Sequence, residues 1–305
     1  MKLKSKHLLG LKDISPEEIT YILDTAKNMK ARILKCDKKS ADLKGQTVIT
    51  LFYENSTRTR LSFELAGKYL GADVANISAS SSSVTKGETL IDTARTIDRM
   101  ATNVVVIRHN MSGAPHLISR NIKSAVINAG DGMNEHPTQA LLDMLTMIEK
   151  KGSLKGLRVA IIGDICHSRV ARSNMWGLTK MGALVSVAGP PTLIPPYVES
   201  FGVKQAGSVK EAITGADVVM GLRIQLERQK SGMFPSLREY SSVFGINQEN
   251  LKLADKDVFV MHPGPVNRGV EMTSDVIDGE NSLIDEQVTS GVAVRMALLH
   301  IMTKG

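Results

Sequence analysis

Short apolar runs alternate along the chain with longer amphipathic stretches, a pattern typical of strands that alternate with helices. In the first half, the runs that predict strands are 47–53, 72–78, 103–108 and 124–130. The stretches that predict helices are 16–34, 57–70, 88–100 and 136–152. The first helix should begin at a capping box, because Ser15 precedes Pro16 and Glu18 follows three residues after Ser15.

The pattern restarts after Gly152. Here the predicted strands are 157–164, 184–189, 216–222 and 257–262, and the predicted helices are 168–181, 209–214, 247–254 and roughly 285–303. Strands that alternate with helices form parallel sheets with right-handed crossovers. The sequence therefore predicts an α/β chain of two domains, each a mostly parallel sheet flanked by helices. We expect the domains at residues 1–150, with the C-terminal helix 285–305 packing back on them, and at 151–284.

Composition is that of an ordinary globular protein, with 42% hydrophobic and 23% charged residues in a chain of 305. No apolar stretch approaches the ~20 residues that span a bilayer, and the N-terminus lacks the apolar core of a secretory signal. The two cysteines, Cys36 and Cys166, have no metal-ligand spacing and form no disulfide framework. These features predict a cytoplasmic protein without a membrane partner.

The formal net charge of +7 admits two explanations, binding of nucleic acid or binding of small anions. A nucleic-acid binder concentrates its basic residues in a stripe, often with interleaved aromatic side chains. Here the basic residues are spread along the chain and only 4% of residues are aromatic. The pattern favours small anions and predicts no nucleic-acid partner.

A cluster of donors stands where the first strand passes into the second helix, in "FYENSTRTRLSFE". A helix N-terminus offers unpaired N–H groups and a positive dipole end, which together favour an anion. The hydroxyl and guanidinium donors at this point are Ser56, Thr57, Arg58 and Thr59. Simple N-capping is the alternative explanation, but capping needs one such residue and does not need Arg58. The cluster predicts a phosphate-binding site.

Several common phosphate and metal sites are excluded by their missing motifs. The chain has no G-x-x-x-x-G-K-[ST] and no G-x-G-x-x-G after a strand, and "IIGDICHSR" carries one glycine where a dinucleotide turn has three. Its seven histidines form no H-E-x-x-H or comparable grouping. We therefore expect a small phosphorylated ligand, no coenzyme and no metal.

Further polar residues follow other predicted strands, at the edge where open α/β sheets place their ligands. They are Arg108, His109, His136, Gln139, Arg169, Arg223, Gln225 and the segment 262–269. Each alone could be a solvated loop residue, and His136 could be a capping or core histidine. Five such sites in one chain favour a binding site instead.

At these residues the chain resembles the carbamoyltransferase family, and most closely its aspartate branch. The motifs are "FYENSTRTRLSFE", "KGETLIDTARTI", "VIRH", "INAGDGMNEHPTQALLD", "GDICHSRVARSN", "LRIQLER" and "HPGPVNRGVE". They occur in the family's order over essentially the whole chain. The resemblance implies transfer of the carbamoyl group of carbamoyl phosphate to the amine of L-aspartate. The products would be N-carbamoyl-L-aspartate and phosphate, in de novo pyrimidine biosynthesis, without metal or coenzyme.

The resemblance also implies a role for each candidate residue of the first domain. Ser56, Thr57, Arg58 and Thr59 would hold the phosphate, and Arg108 would bridge the phosphate and the carbonyl oxygen. Thr59, Arg108 and His136 would polarise that carbonyl. Gln139 would accept a hydrogen bond from the carbamoyl amide. The implied catalytic set is Arg58, Thr59, Lys86, Arg108 and His136.

The acceptor amine depends on the second domain. Aspartate carries two carboxylates, which the forks of Arg169 and Arg223 can bind, with Gln225 beside the second. The ornithine branch has a cysteine in its His-Cys-Leu-Pro segment and a Ser-Met-Gly loop, whereas this chain has "HPGP" at 262–265 and no Ser-Met-Gly. Aspartate is favoured over ornithine or a diamine. A catalytically silent subunit with a structural or regulatory role is a further alternative, against which the intact arginines argue.

Two features of the resemblance concern backbone and assembly. Gly264 and Pro265 would contribute backbone to the carbamoyl-phosphate site, although the family often has leucine before a cis proline. The loop "SSSSVTKGE" would reach from a neighbouring subunit, with Ser82 or Ser83 and Lys86 completing the phosphate site and Lys86 also contacting aspartate. This implies a homotrimer with shared active sites, and leaves open regulatory chains or a dihydroorotase as partners. Composition alone favours a solvated loop here.

Overall fold

The computed structural model describes residues 3–78, 87–225 and 236–304. By its internal packing the chain divides into two compact units. The first unit comprises Met1–Leu145 and Thr289–Gly305, and the second comprises Thr146–Val288.

The first unit is built on a four-stranded sheet whose strand pairs are all parallel. Its strands are β1 (Thr47–Phe52), β2 (Asp73–Ser78), β3 (Val104–His109) and β4 (Ala125–Asp131). Their order across the sheet is β2-β1-β3-β4. Strands buried on both faces read as continuous apolar runs, and Val104, Val105, Val106 and Ile107 of β3 are all fully buried.

The second unit carries a five-stranded sheet, again with every pair parallel. The strands are β5 (Arg158–Ile162), β6 (Leu184–Ala188), β7 (Lys204–Gln205), β8 (Val218–Gly221) and β9 (Phe259–Met261). They lie in the order β7-β6-β5-β8-β9. The order reverses between β5 and β8, and such a switch point is where open α/β sheets bind ligands.

Helices connect the strands of both sheets. In chain order they are α1 (Pro16–Leu34), α2 (Thr57–Tyr69), α3 (Leu90–Arg99), α4 (Ala114–Ser119), α5 (Pro137–Lys151), α6 (Arg169–Lys180), α7 (Val209–Ile213), α8 (Leu237–Phe244), α9 (Gln248–Leu251), α10 (Ser274–Ile277) and α11 (Ile284–Lys304). The predicted capping box at α1 is present, with Ser15 Oγ accepting from the Glu18 N–H and the Glu18 carboxylate accepting from the Ser15 N–H.

The predicted α/β architecture is confirmed, but several short elements of the described residues escaped the sequence analysis. They include the helices α4, α8 and α10, the strand β7, and two 3₁₀ helices at Pro191–Leu193 and Val198–Phe201. The first and third have six and four residues and β7 has two, too few for a hydrophobic period to show. In α8, Leu237, Tyr240 and Phe244 recur at helical spacing, but the helix has only eight residues, too few for the period to be distinctive.

Candidate functional site

The donor cluster at the start of α2 lies at the carboxyl end of β1. That strand ends at Phe52, and α2 begins after Ser56, whose Oγ accepts from the Thr59 N–H at 3.4 Å. Ser56 therefore does cap the helix, as the alternative explanation of this segment required. Arg58 is exposed, however, and the cap does not use its side chain.

Arg108 lies beside this helix start because β3 is the neighbour of β1, with Phe52 and Arg108 in register. Its Nη2 contacts Glu54 Oε1 at 2.6 Å, and its Nη1 donates to the carbonyl of Ala129 on β4 at 3.4 Å. The guanidinium thus lies at the carboxyl ends of three neighbouring strands. The sequence analysis gave no role to Glu54, although it stands inside the motif that carries Arg58.

His136 and Gln139 stand at the N-terminus of α5. Both are buried, and His136 Nδ1 lies 3.4 Å from the Thr138 hydroxyl. The Gln139 amide nitrogen donates to Asp143 Oδ1 at 2.9 Å. Asp143 is fully buried and was not recognised from the sequence, although its spacing of four residues from Gln139 on a helix was the available signal.

The turn that presents His136 is held by a buried carboxylate at the end of β4. Asp131 accepts hydrogen bonds from the Gly113 N–H at 2.7 Å, the Asn128 side-chain amide at 2.8 Å and the Glu135 N–H at 3.1 Å. The side chain is fully buried, so water cannot reach these donors in the folded state. Asp131 therefore fixes the path of the chain up to His136.

Replacing this carboxylate should be costly to the fold. Asp131→Ala leaves several buried donors without a partner, each worth about 1–3 kcal/mol. We expect the free energy of unfolding to fall by about 3 kcal/mol, measured by urea unfolding. The matched control is Asp24→Ala on the exposed side of α1, where a change within about 0.5 kcal/mol is expected. Equal effects of the two substitutions would contradict the role given to Asp131.

In the second unit, Arg169 is the first residue of α6 and is buried. Ser168 caps the helix by accepting from the Ala171 N–H. The loop between β5 and α6 also holds a carboxylate–imidazole pair, with Asp164 Oδ1 at 2.9 Å from His167 Nδ1. In this segment the sequence analysis gave a role only to Arg169 and did not identify the pair.

Arg223 and Gln225 follow β8, the neighbour of β5. The Arg223 Nη2 donates to Gln225 Oε1 at 3.3 Å, which places the two side chains together. Between them, the Ile224 N–H donates to Glu271 at 3.0 Å. Glu271 also accepts two bonds from Asn267, yet burial outweighs these hydrogen bonds and raises the pKa of its carboxyl.

Gly264 and Pro265 follow β9, which pairs with β8. Their peptide bond is cis, and Gly264 has φ +62°, a conformation that side-chain-bearing residues rarely adopt. The backbone here accounts for a glycine where the resembled family often has leucine. The segment shares the carboxyl edge of the second sheet with Arg223.

The predicted residues thus fall at two sheet edges. The first sheet carries Ser56, Thr57, Arg58, Thr59, Arg108, His136 and Gln139. The second carries Arg169, Arg223, Gln225, Gly264 and Pro265. Ser82, Ser83 and Lys86 lie outside the described residues.

In residues 3–78, 87–225 and 236–304, no three or more His, Cys, Asp and Glu side chains are grouped so that they could hold a metal ion. No helix in the same ranges combines the length and apolar character needed to cross a membrane.

Family models match nearly the whole chain. Residues 6–149 match the carbamoyl-P binding domain of aspartate/ornithine carbamoyltransferase, and residues 155–302 match the Asp/Orn binding domain. The chain belongs to the aspartate/ornithine carbamoyltransferase family. The family predicted from the sequence is therefore confirmed.

The individual relatives and solved structures similar to this chain come from both branches of the family. The aspartate carbamoyltransferase catalytic subunit of Ruminiclostridium cellulolyticum is 70% identical over 304 residues, covering 100% of this chain and 97% of the relative. The aspartate transcarbamoylase of Trypanosoma cruzi, solved with carbamoyl aspartate and phosphate, has a TM-score of 0.88 at 30% identity, covering 98% of this chain and 96% of its own. The ornithine carbamoyltransferase of Pyrococcus furiosus also has a TM-score of 0.88, at 32% identity, covering 98% and 97%.

Proposed function

We propose that this chain is an aspartate carbamoyltransferase, which transfers the carbamoyl group of carbamoyl phosphate to L-aspartate and so forms N-carbamoyl-L-aspartate and phosphate. The observation that carries the proposal is the 70% identity to an aspartate carbamoyltransferase catalytic subunit over the whole chain. Fold likeness supports the reaction class but not the acceptor, because an ornithine enzyme fits equally well. The reaction belongs to de novo pyrimidine biosynthesis.

The first domain, proposed as residues 1–150 with the C-terminal helix, would bind carbamoyl phosphate. Phosphate at the start of α2 would meet the dipole end, the hydroxyls of Ser56, Thr57 and Thr59, and the exposed Arg58 fork. Arg108 is already paired with the Glu54 carboxylate. A phosphate arriving there would compete with that carboxylate for the guanidinium, since both are anions with matching geometry.

Catalysis would come from donors that are in place before the reaction. As the amine attacks, negative charge develops on the carbamoyl oxygen, and Thr59, Arg108 and His136 would stabilise it. A bond forms between the amine nitrogen and the carbamoyl carbon, and the bond from that carbon to the phosphate oxygen breaks. The proton that the amine loses ends on the departing phosphate, which leaves as hydrogen phosphate. Gln139 would accept from the carbamoyl amide, and Gly264 and Pro265 would add backbone contacts.

The second domain, proposed as residues 151–284, would bind aspartate. Arg169 and Arg223 supply two guanidinium forks for two carboxylates, and Gln225 contacts Arg223. Holding both carboxylates would orient the uncharged amine for attack. An ornithine side chain would instead bring an ammonium group towards these cations, which disfavours it.

The proposed assembly is a cytoplasmic homotrimer with active sites shared between subunits. Ser82 or Ser83 and Lys86 of one subunit would complete the phosphate site of the next, and Lys86 would also contact aspartate. Regulatory chains or a dihydroorotase would be additional partners, which sizing the protein alone and in cell extract would detect. Sedimentation of the purified protein would give the trimer mass if the proposal holds, and a monomer would contradict it.

The acceptor is tested by supplying the purified protein with carbamoyl phosphate and a panel of amines. Colorimetric detection of the carbamoyl-amino-acid product should give product with aspartate and little with ornithine or a diamine. Product with ornithine at a comparable rate would exclude the aspartate assignment. Absence of product with every amine, from a folded trimer, would favour a catalytically silent subunit.

Arg223→Ala should weaken the binding of aspartate without changing the binding of carbamoyl phosphate. We expect it to raise the KM for aspartate by about 10²-fold, because a charge-assisted bidentate contact is lost. Binding of carbamoyl phosphate to the free enzyme, measured by calorimetric titration, should be unchanged. Arg158→Ala, at the opposite end of the same sheet, is the matched control and should leave the KM unchanged. Loss of carbamoyl-phosphate binding in Arg223→Ala would place this arginine in the phosphate site instead.

A further inference from the structure

The side-chain amide of Gln139 is hydrogen-bonded to the carboxylate of Asp143. Its nitrogen donates to Asp143 Oδ1 at 2.9 Å, one helical turn further along α5. Gln139 is 8% exposed and Asp143 is 0% exposed, so water has little access to this bond. In this buried position the Gln139 amide nitrogen is the donor and the Asp143 carboxylate oxygen is the acceptor.

A buried cation from the C-terminal helix acts on the same carboxylate. Arg295 of α11 lies with its guanidinium carbon 5.2 Å from the centre of the Phe63 ring and attracts Asp143 electrostatically. Burial, with a smaller contribution from the repulsion of Arg108, lowers the pKa of Arg295 to about 9, so the guanidinium stays protonated near neutral pH. This positive charge favours the ionised form of Asp143.

An ionised carboxylate only accepts hydrogen bonds, and this decides which way the glutamine amide faces. The amide has a donor end and an acceptor end of nearly the same shape. With Asp143 ionised, the NH₂ group must face Asp143, and Oε1 is left on the other side. A carbamoyl group presents an NH₂, which can bind Oε1 but would oppose the NH₂ of a reversed amide.

We propose that Asp143 is a positioning residue that orients the Gln139 amide, so that Oε1 accepts from the NH₂ of carbamoyl phosphate and the site selects the carbamoyl group over other acyl phosphates. The inference rests on the proposed function, because it takes carbamoyl phosphate as the ligand of this sheet edge. A structural pair would stabilise α5 in the same way but would not select among ligands.

Acetyl phosphate is the probe that separates these two roles, because it carries a methyl group where carbamoyl phosphate carries the NH₂. The wild-type protein should bind carbamoyl phosphate more tightly than acetyl phosphate in calorimetric titrations. In Asp143→Asn, Arg295 attracts the Asn carbonyl oxygen and leaves the Asn NH₂ towards Gln139, which reverses the glutamine amide. The preference for carbamoyl phosphate should then fall by roughly 10- to 100-fold, while acetyl phosphate and inorganic phosphate bind within a factor of a few of wild type.

The double variant Gln139→Glu/Asp143→Asn provides the rescue. Its Asn NH₂ donates to one oxygen of the new glutamate, and the other oxygen again accepts from the carbamoyl NH₂, so the preference should return. The control Asp98→Asn, which alters another carboxylate that accepts three bonds from residues 123 and 124, should leave the preference at the wild-type value.

Each outcome decides the inference. A folded Asp143→Asn variant that keeps the wild-type preference overturns it, as does a wild-type protein that binds both acyl phosphates equally. If Asp143→Asn does not fold, the double variant decides, since a folded double variant without the preference also overturns the inference. A wild-type protein that binds no carbamoyl phosphate overturns the proposed function and the inference together, whereas the first outcome leaves the proposed function intact.

Discussion

Arg58→Ala is expected to lower kcat by about 10²-fold or more, the effect of losing one strong electrostatic contact to the departing phosphate. As the carbon–oxygen bond breaks, negative charge grows on the phosphate, and the guanidinium fork would bind that charge more tightly than it binds the substrate. The side chain is exposed, so its removal should hardly change the thermal unfolding midpoint. Steady-state rates and a melting curve measure both effects.

The matched control is Arg60→Ala, which removes an exposed arginine from the same helix two residues later. It should leave kcat within a factor of a few of wild type. Arg58→Lys should restore only part of the rate, because an ammonium is a point charge without the planar fork. Near-normal rates in Arg58→Ala, or equal losses of rate in the two alanine variants, would contradict the assignment of Arg58 to the phosphate site.

Mixing two inactive variants should restore activity if active sites are shared between subunits. Arg58→Ala and Lys86→Ala should each be nearly inactive as pure trimers. In a mixed trimer of either composition, one interface pairs an intact Arg58 with an intact Lys86 from the neighbouring chain. Activity per hybrid trimer should therefore approach about one third of the wild-type value. The measurement is carbamoyl-aspartate formation after dissociation, mixing and reassembly.

A second mixture controls for unspecific recovery. Arg58→Ala combined with Arg108→Ala should stay inactive, because both residues lie at the same sheet edge of one chain and no hybrid interface restores the pair. Native mass spectrometry shows whether hybrids have formed. If hybrids have formed and the mixture of Arg58→Ala with Lys86→Ala remains inactive, the hypothesis of a shared active site is wrong.

Most of the secondary structure of this chain can be predicted from local sequence patterns. Strands buried on both faces give continuous apolar runs, such as 103–108, and the structure places β3 at Val104–His109. The start of α1 follows from Ser15 and Glu18, which are close in sequence. Short elements such as β7 and α10 leave no such pattern, because two to four residues do not complete a hydrophobic period.

Part of the candidate site could likewise be predicted from the sequence, and part could not. The sequence predicted where four arginines lie, at the carboxyl ends of the parallel strands, because each stands just after a predicted strand or at the start of a predicted helix. They are Arg58, Arg108, Arg169 and Arg223. The groups that hold these residues in place could not be predicted from the sequence. Glu271 accepts from Ile224, which lies far from it in the sequence, and only the folding of β8 and the loop after β9 brings them together.

The sequence by itself determined the class of fold and the family, and it indicated candidate site residues, because apolar period, strand-end position and contiguous motifs are all local properties. Tertiary structure alone decided the order of strands within each sheet, the pairing of Glu54 with Arg108, and the approach of Arg295 to Asp143. These depend on which strands become neighbours and on where the C-terminal helix packs. Burial then sets their strength, since removal of water lowers the local dielectric and makes a charge pair matter more than it would in solution.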